Sequence, residues 1–305
     1  MKKLFNFLLL TFSLMLLIVS CNLTSNNGGS ADIVIGSKGF TEQDILSEIL
    51  AQQIEETTHL KVAQRRFTSA LVTHQALTAG KIDAYVEYTG TAFTVILKQK
   101  AINDPKLLYE KLKQAYAQQF HLEVMEPLGY ESTFAMTIRA EDAKRDNIQT
   151  LSDLAKYAPQ MRAGFGYEFI EREDGYRGLA KTYGLHFAQS PRIMDLGLIY
   201  RALQQKLVDI INGGTTDGQI SRLGLVVLKD DLHYFPPYEA ATIIRQDTLK
   251  KYPKLRQALT QLVGRISFDD MQHLNSLVEG EFRDIRDVVR DFRKAKGLIV
   301  VEDRG

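Results

Sequence analysis

The chain has 305 residues, enough for one large domain or, more naturally, two of about 100–150 residues each. Hydrophobic residues make up 45% and charged residues 25%, which excludes a largely disordered or collagen-like chain. With 38 basic and 37 acidic side chains the formal charge is +1, too little to point to nucleic acid.

Met1-Lys2-Lys3 carries the only charges before an almost wholly apolar run from Leu4 to Ser20. A positive start, a short apolar stretch and small residues before Cys21 describe a bacterial export signal over 1–20. The alternative is a transmembrane anchor, but about 17 residues is at the short limit for spanning a bilayer and no basic flank follows. "IVSC" resembles a lipobox, which makes Cys21 the expected lipidation site and first residue of the mature chain. Cys21 is also the only cysteine, so internal disulfides and Cys-based metal clusters are excluded. The polar, Gly/Ser/Asn-rich residues 21–31 read as a flexible tether. Without Lys2 and Lys3 the basic count falls to 36 against 37 acidic, a mature charge of −1.

From Asp32 strands alternate with helices: "ADIVIGS" a buried strand, "FTEQDILSEILAQQIEETT" a helix, "LKVAQRRF" a strand, "LVTHQALTAG" a helix, "IDAYVEY" a strand. Such alternation predicts βαβ units on a mostly parallel sheet. For the first helix, Thr41 is the expected N-cap, Asp44 its reciprocal acid, and Phe40 with Ile45 a hydrophobic staple. Ile45, Leu46, Ile49, Leu50 and Ile54 form its apolar stripe. The preceding "GSKGF" loop opens a helix N-terminus, a favourable place for an anion.

"FAMTIRAEDAKR" (Phe134 to Arg145) and "AATIIRQDTLKK" (Ala240 to Lys251) both read as an apolar strand, an Arg, then an acid opening a helix; they are the expected crossings between two lobes. The alternation repeats between them, and the tail from Lys254 is helical. The expected division is 32–135 with 240–305 as lobe 1 and 136–239 as lobe 2, with a cleft between. Ligands in open α/β sheets sit at the carboxyl ends of strands, so the turns "GSKGF", "YTGT" and "GGTTDG" are expected to face that cleft.

One unit occurs twice. "HQALTAGKIDAYVEYTGT" aligns with "YRALQQKLVDIINGGTTD" so that Ala76, Leu77, Asp83 and Thr89 fall on Ala202, Leu203, Asp209 and Thr215. In that register Tyr88 falls on Gly214: an aromatic tip once, a bare tip once.

Enzyme signatures are missing: no G-x-S-x-G elbow, no phosphate-binding loop, no G-x-G-x-x-G opening a helix, and six His without metal spacing. The turns and loops instead offer binding groups: Lys38, Tyr88 and Thr91, Arg172 in "IEREDGY" and Tyr238 in "FPPYEAA". A trimethylammonium group has no N–H and is held by aromatic faces, whereas a carboxylate is held by Lys or Arg with a hydroxyl. Tyr in strands is more often packing, and Arg172 and Lys38 equally fit a solvated surface. An amino-acid binder is a further alternative, with Asp83, Glu87 or Asp217 for a primary ammonium.

"IVIGSKGFTEQDILSEILAQQIE", "IDAYVEYTGTA", "PLGYESTFAM", "DGYRGLAKTYGL" and "TTDGQI…LKDDLHYFPPYEAA" resemble the substrate-binding proteins of ABC importers for quaternary-amine osmoprotectants (glycine betaine, carnitine, choline), over Asp32 to about Gly297. The resemblance implies an α/β two-lobed periplasmic-binding-protein fold (type II) with two crossover strands. It also implies a cleft in which Lys38, Thr91 and Arg172 hold a carboxylate while Tyr88, Tyr238 and two further rings box the ammonium head. One of those rings is Phe134, which keeps a π-face without the hydroxyl. The other falls on Gly214, leaving Tyr200, Tyr130 or Tyr167 as replacements, or room for a bulkier betaine such as carnitine or ergothioneine. The implied partners are a zwitterionic ligand, a permease with its ATPase, and the membrane through the lipid anchor. No cofactor is expected, and the chain is expected to act as an exported monomer.

Overall fold

A computed structural model describes residues 31–298. The export signal (1–20), the lipidation site Cys21 and most of the tether lie outside these residues. Among the described residues no helix is long and apolar enough to cross a membrane.

Two five-stranded sheets share one topology. The first has the order β2-β1-β3-β10-β4, built from β1 (Ile33–Ser37), β2 (Val62–Arg66), β3 (Ala84–Tyr88), β4 (Leu122–Glu131) and β10 (Glu239–Arg245). The second has the order β7-β6-β8-β5-β9, from β5 (Phe134–Arg139), β6 (Ala163–Gly166), β7 (Arg192–Met194), β8 (Ile210–Gly214) and β9 (Leu225–Val227). In each sheet the first three strands pair in parallel and the fourth is antiparallel to both of its neighbours. Four strands of each sheet therefore run the same way and one runs against them, a mostly parallel sheet with a single antiparallel member. The antiparallel members β5 and β10 are the two segments with the Arg-acid signature, and each enters its sheet from the other lobe, so it runs against the strands already there.

The repeat seen in the sequence has a structural basis. Asp83 precedes β3, donates its N–H to Val34 (2.7 Å) and accepts the Val34 N–H on its carboxylate (2.8 Å). Asp209 precedes β8 and does the same with Arg162, at 2.7 and 2.9 Å. In both copies the helix before the strand ends with matching bonds, Lys81 N–H to Ala76 O and Leu207 N–H to Ala202 O. Each Asp thus pins the N-terminal end of its strand to a neighbour, which fixes the register and sends the opposite end toward the cleft. Asp83 also accepts from Thr248 (2.8 Å) and lies away from the cleft.

The helix Thr41–Thr58 is buried on more than its apolar stripe, because the C-terminal helices cover it. Leu255, Leu259, Val288 and Val289 join Ile45, Ile49 and Ile54 in one core, and Gln53 donates to Ala258 O at 3.2 Å. Its start departs from the expected capping box. Thr41 is already helical, Phe40 is the extended residue before it, and no side chain caps the end. Asp44 instead accepts from Ser37 Oγ (2.8 Å) and pairs with Arg66 (3.1 Å), tying the helix to β1 and β2. The helical tail comprises Lys254–Thr260, Phe268–Glu279 and Ile285–Ala295, the long run from Phe268 being broken at 280–284.

Candidate ligand site in the interlobe cleft

A cavity of about 960 Å3 opens between the sheets, and Lys38, Tyr88, Thr91, Phe134, Arg172, Tyr200, Gly214 and Tyr238 all line it. So do parts of all three turns "GSKGF", "YTGT" and "GGTTDG". The cavity wall has three clusters.

The first surrounds Lys38, which is 3% exposed rather than solvated. Its Nζ lies 2.5 Å from Glu87 Oε1 and 4.6 Å from the centre of the Tyr88 ring. Strand alternation explains this arrangement only in part: Tyr88 ends β3, and the backbone turns immediately into the single helical turn Thr89–Thr91. Gly90 is required there, since a Cβ would stand 2.7 Å from Pro237 O and from the Tyr238 ring. The Y-T-G-T sequence thus ends a strand on an aromatic and lets a second ring pack against the turn.

The second cluster joins the lobes. Arg172, just after the helix Tyr167–Glu171, holds Asp174 through Nε and Nη2, both at 2.7 Å, and donates to Thr91 Oγ1 at 3.1 Å. Its guanidinium carbon sits 4.9 Å from the Phe134 ring centre and 5.8 Å from that of Tyr238. Asp174 also accepts from Thr94 and Tyr238, each at 2.7 Å. Burial pushes the Asp174 carboxyl up, but Arg172 and the two hydroxyls outweigh it and hold the group below the usual carboxylate range. Burial likewise opposes the Arg172 charge, and Asp174 more than offsets it.

The third cluster lies around the bare tip. Tyr200 donates to Asp217 Oδ2 at 2.5 Å, and the Gly214 N–H donates to the same oxygen at 2.9 Å. Phe134 is the cross-strand partner of Gly214. Burial, reinforced by Glu279, raises the Asp217 carboxyl to about 7 against the pull of those two bonds.

At the cavity wall, Glu42 unites the lobes. Its Oε1 accepts from Tyr88 (2.5 Å) and Tyr130 (2.9 Å), and its Oε2 from Asn275 (2.9 Å) and from Thr216 of the second lobe. The first turn of the helix thus carries its own acids, Glu42 and Asp44, where the sequence pointed to an anion site. Tyr130 is committed to Glu42 and does not line the cavity; Tyr167 lines it but is 65% exposed. Tyr200 is the candidate replacement ring that stands beside Gly214. Glu42 and Asp174 were not among the site residues read from the sequence, and Asp217 entered only as a possible counter-ion in the amino-acid alternative. Their signal is visible only afterwards, as an acid within four positions of an expected ligand group in each turn.

Two α/β lobes joined by crossing strands, with aromatic and charged groups converging on one cleft, define a periplasmic-binding-protein fold of type II. Residues 31–295 match the family described as the substrate binding domain of the ABC-type glycine betaine transport system, and the chain belongs to that family. The chain is 37% identical over 300 residues to a carnitine transport binding protein, OpuCC, of Listeria monocytogenes, covering 96% of each. It is 37% identical over 269 residues to an ergothioneine transport permease/ergothioneine binding protein, EgtU, of Helicobacter pylori, covering 87% of this chain and 48% of that one. A crystal structure of a glycine betaine/carnitine/choline ABC transporter protein superposes with a TM-score of 0.74 at 33% identity, covering 88% of this chain and all of that one. This chain is accordingly a substrate-binding component of an ABC importer.

Proposed function

We propose that the chain captures a zwitterionic quaternary ammonium compound outside the cell, anchored through a lipid on Cys21, and presents it as a monomer to a permease powered by a separate ATPase. The observation that carries this reading is Arg172. It reaches across the cleft to Thr91 while lying against the faces of Phe134 and Tyr238, so a cation-binding pair of rings and a carboxylate-binding Arg–hydroxyl pair occupy one place. The Tyr88 face is a cation site too, held here by Lys38. A betaine would set its ammonium head against Tyr88, Phe134 and Tyr238 and turn its carboxylate to Arg172, Thr91 and Lys38, sharing those cations with Glu87 and Asp174. Contacts from both lobes would shift the population toward closure. No catalytic role is assigned to the chain.

A thermal-shift panel of glycine betaine, carnitine, choline, ergothioneine and proline tests the ligand class. A ligand at a hundred times its Kd stabilises by about 2.7 kcal/mol. At least one zwitterionic quaternary amine raises Tm while proline does not; a proline response alone would instead favour an amino-acid binder. Incorporation of labelled fatty acid, abolished by Cys21→Ala, tests the anchor.

A further inference from the structure

Adjacent glycines end β8, and they are not equivalent. A Cβ on Gly213 would stand 2.2 Å from the Tyr200 hydroxyl, so only Gly lets Tyr200 reach Asp217 there. A Cβ on Gly214 would meet nothing closer than Asp217 Oδ1 at 3.1 Å and Ser132 Oγ at 3.4 Å. A side chain is therefore sterically admissible at Gly214, and its absence exposes a particular atom. Asp217 Oδ2 is occupied by Tyr200 and the Gly214 N–H, whereas Oδ1 makes no hydrogen bond among the described residues and borders the space in front of Gly214. Asp217 itself lines the cavity.

We propose that Asp217 Oδ1 is a specificity-determining acceptor, and that the ligand is a quaternary-ammonium carboxylate carrying an O–H or N–H donor that this oxygen receives. The inference deepens the functional reading above and rests on it. A trimethylammonium group offers no N–H and would leave the oxygen without a partner, at the expense usual for a desolvated acceptor. A hydroxyl or an azole N–H on the body of the ligand satisfies it. The bare Gly214 supplies the room, with Phe134 across the strand pair to cover one side of the bulkier body. The fixed bonds of Oδ2 hold the carboxylate in place before the ligand arrives, which limits the ordering cost of recognition.

Calorimetry on the purified protein at pH 8.5, where the Asp217 carboxyl is ionised and both of its oxygens accept, tests this with two matched pairs. L-carnitine and γ-butyrobetaine differ by one hydroxyl; ergothioneine and its ring-N-methylated form differ by an azole N–H. The donor-bearing member of at least one pair is expected to bind about tenfold or more tightly than its partner, the equivalent of one charge-assisted hydrogen bond. Whichever pair shows the preference identifies the donor. Asp217→Asn keeps an oxygen for Tyr200 and the Gly214 N–H and turns an NH2 into the cavity, so the ratio within the pair is expected to fall to about one or below. Gly214→Ala, which leaves Asp217 intact and crowds Oδ1, is expected to lower the same ratio. No preference in either pair, or equal losses by both members in Asp217→Asn, overturns the proposal and leaves the functional reading standing; the second result would make Asp217 a counter-charge for the ammonium. Silence from all four compounds overturns both.

Discussion

Removing Arg172 separates its structural duty from its ligand duty. Its side chain and that of Asp174 are 10% and 6% exposed, and Arg172→Ala leaves that carboxylate buried without its counter-ion. Breaking a buried pair by deleting one partner costs about 3–5 kcal/mol, and the lower end applies because Thr94 and Tyr238 still donate to Asp174. For a protein of this size that is a drop in Tm of roughly 5–6 °C at pH 8. The pH dependence has a definite sign. Asp174 is held below its ordinary value of 3.8, so its contribution is present above that value and is lost as pH falls through the lower folded value. Without Arg172, burial acts with less opposition, the folded value rises, and the acid limb of the Tm–pH curve moves to higher pH. Circular dichroism melts from pH 8 to pH 3 measure this. Binding measured at pH 8, below the melting range of the variant, should show glycine betaine and carnitine losing far more affinity than choline. An unchanged acid limb, or equal losses by carboxylated and uncarboxylated amines, would refute the reasoning.

Three further outcomes follow from other parts of the cleft. Tyr88→Phe removes a hydrogen bond to the buried Glu42 but keeps the ring, so stability falls by about 1.5–3 kcal/mol while affinity for a quaternary amine stays within about threefold; a tenfold loss in titration would show that the hydroxyl itself binds ligand. Gly214→Tyr adds a cage wall worth about 0.5–2 kcal/mol, raising glycine betaine affinity roughly two- to thirtyfold and weakening bulkier betaines; unchanged selectivity would contradict it. Asp217, raised to about 7 and facing Tyr200, Glu279 and Glu42, takes up protons in the folded state that the unfolded chain does not hold between pH 4 and 7. Its contribution is therefore lost as pH rises across that window, the reverse of Asp174, and Asp217→Asn should flatten that decline in melts.

Much of this cleft was legible in the chain because local rules place it. Alternating strands and helices, a duplicated helix–strand–turn and two matching Arg-acid strands bring the expected aromatic and basic residues to the carboxyl ends of β1 and β3, to the loop that follows β6 and its short helix, and to the crossings. What stayed hidden depends on the third dimension. Nothing local says that Lys38 will be neutralised by Glu87, 49 positions away, or that Glu42 will collect donors from four distant segments. Thr41 follows the capping pattern, yet Ser37 and Arg66 claim Asp44 because β1 and β2 pack beside that turn. β4 carries Pro127 and register shifts against β10, which blur its period, so the sequence did not announce it as a strand. Gly214 was visible as a missing ring; that it uncovers Asp217 Oδ1 was not, because Asp217 also serves the turn.

In the proposed binding mode Tyr88, Phe134 and Tyr238 recognise the charge of an ammonium head and not only its shape. Calorimetry comparing glycine betaine with 3,3-dimethylbutyrate tests it directly, since the two share size and carboxylate and differ in the positive charge; the chain has no Trp, so heat is a better signal than fluorescence. With about 0.5–2 kcal/mol per ring–cation contact, glycine betaine should bind at least tenfold more tightly than this isostere with an uncharged head. Equal affinities, or tighter binding of the isostere, would mean that the cleft is an apolar pocket and that its rings do not act as a cation cage.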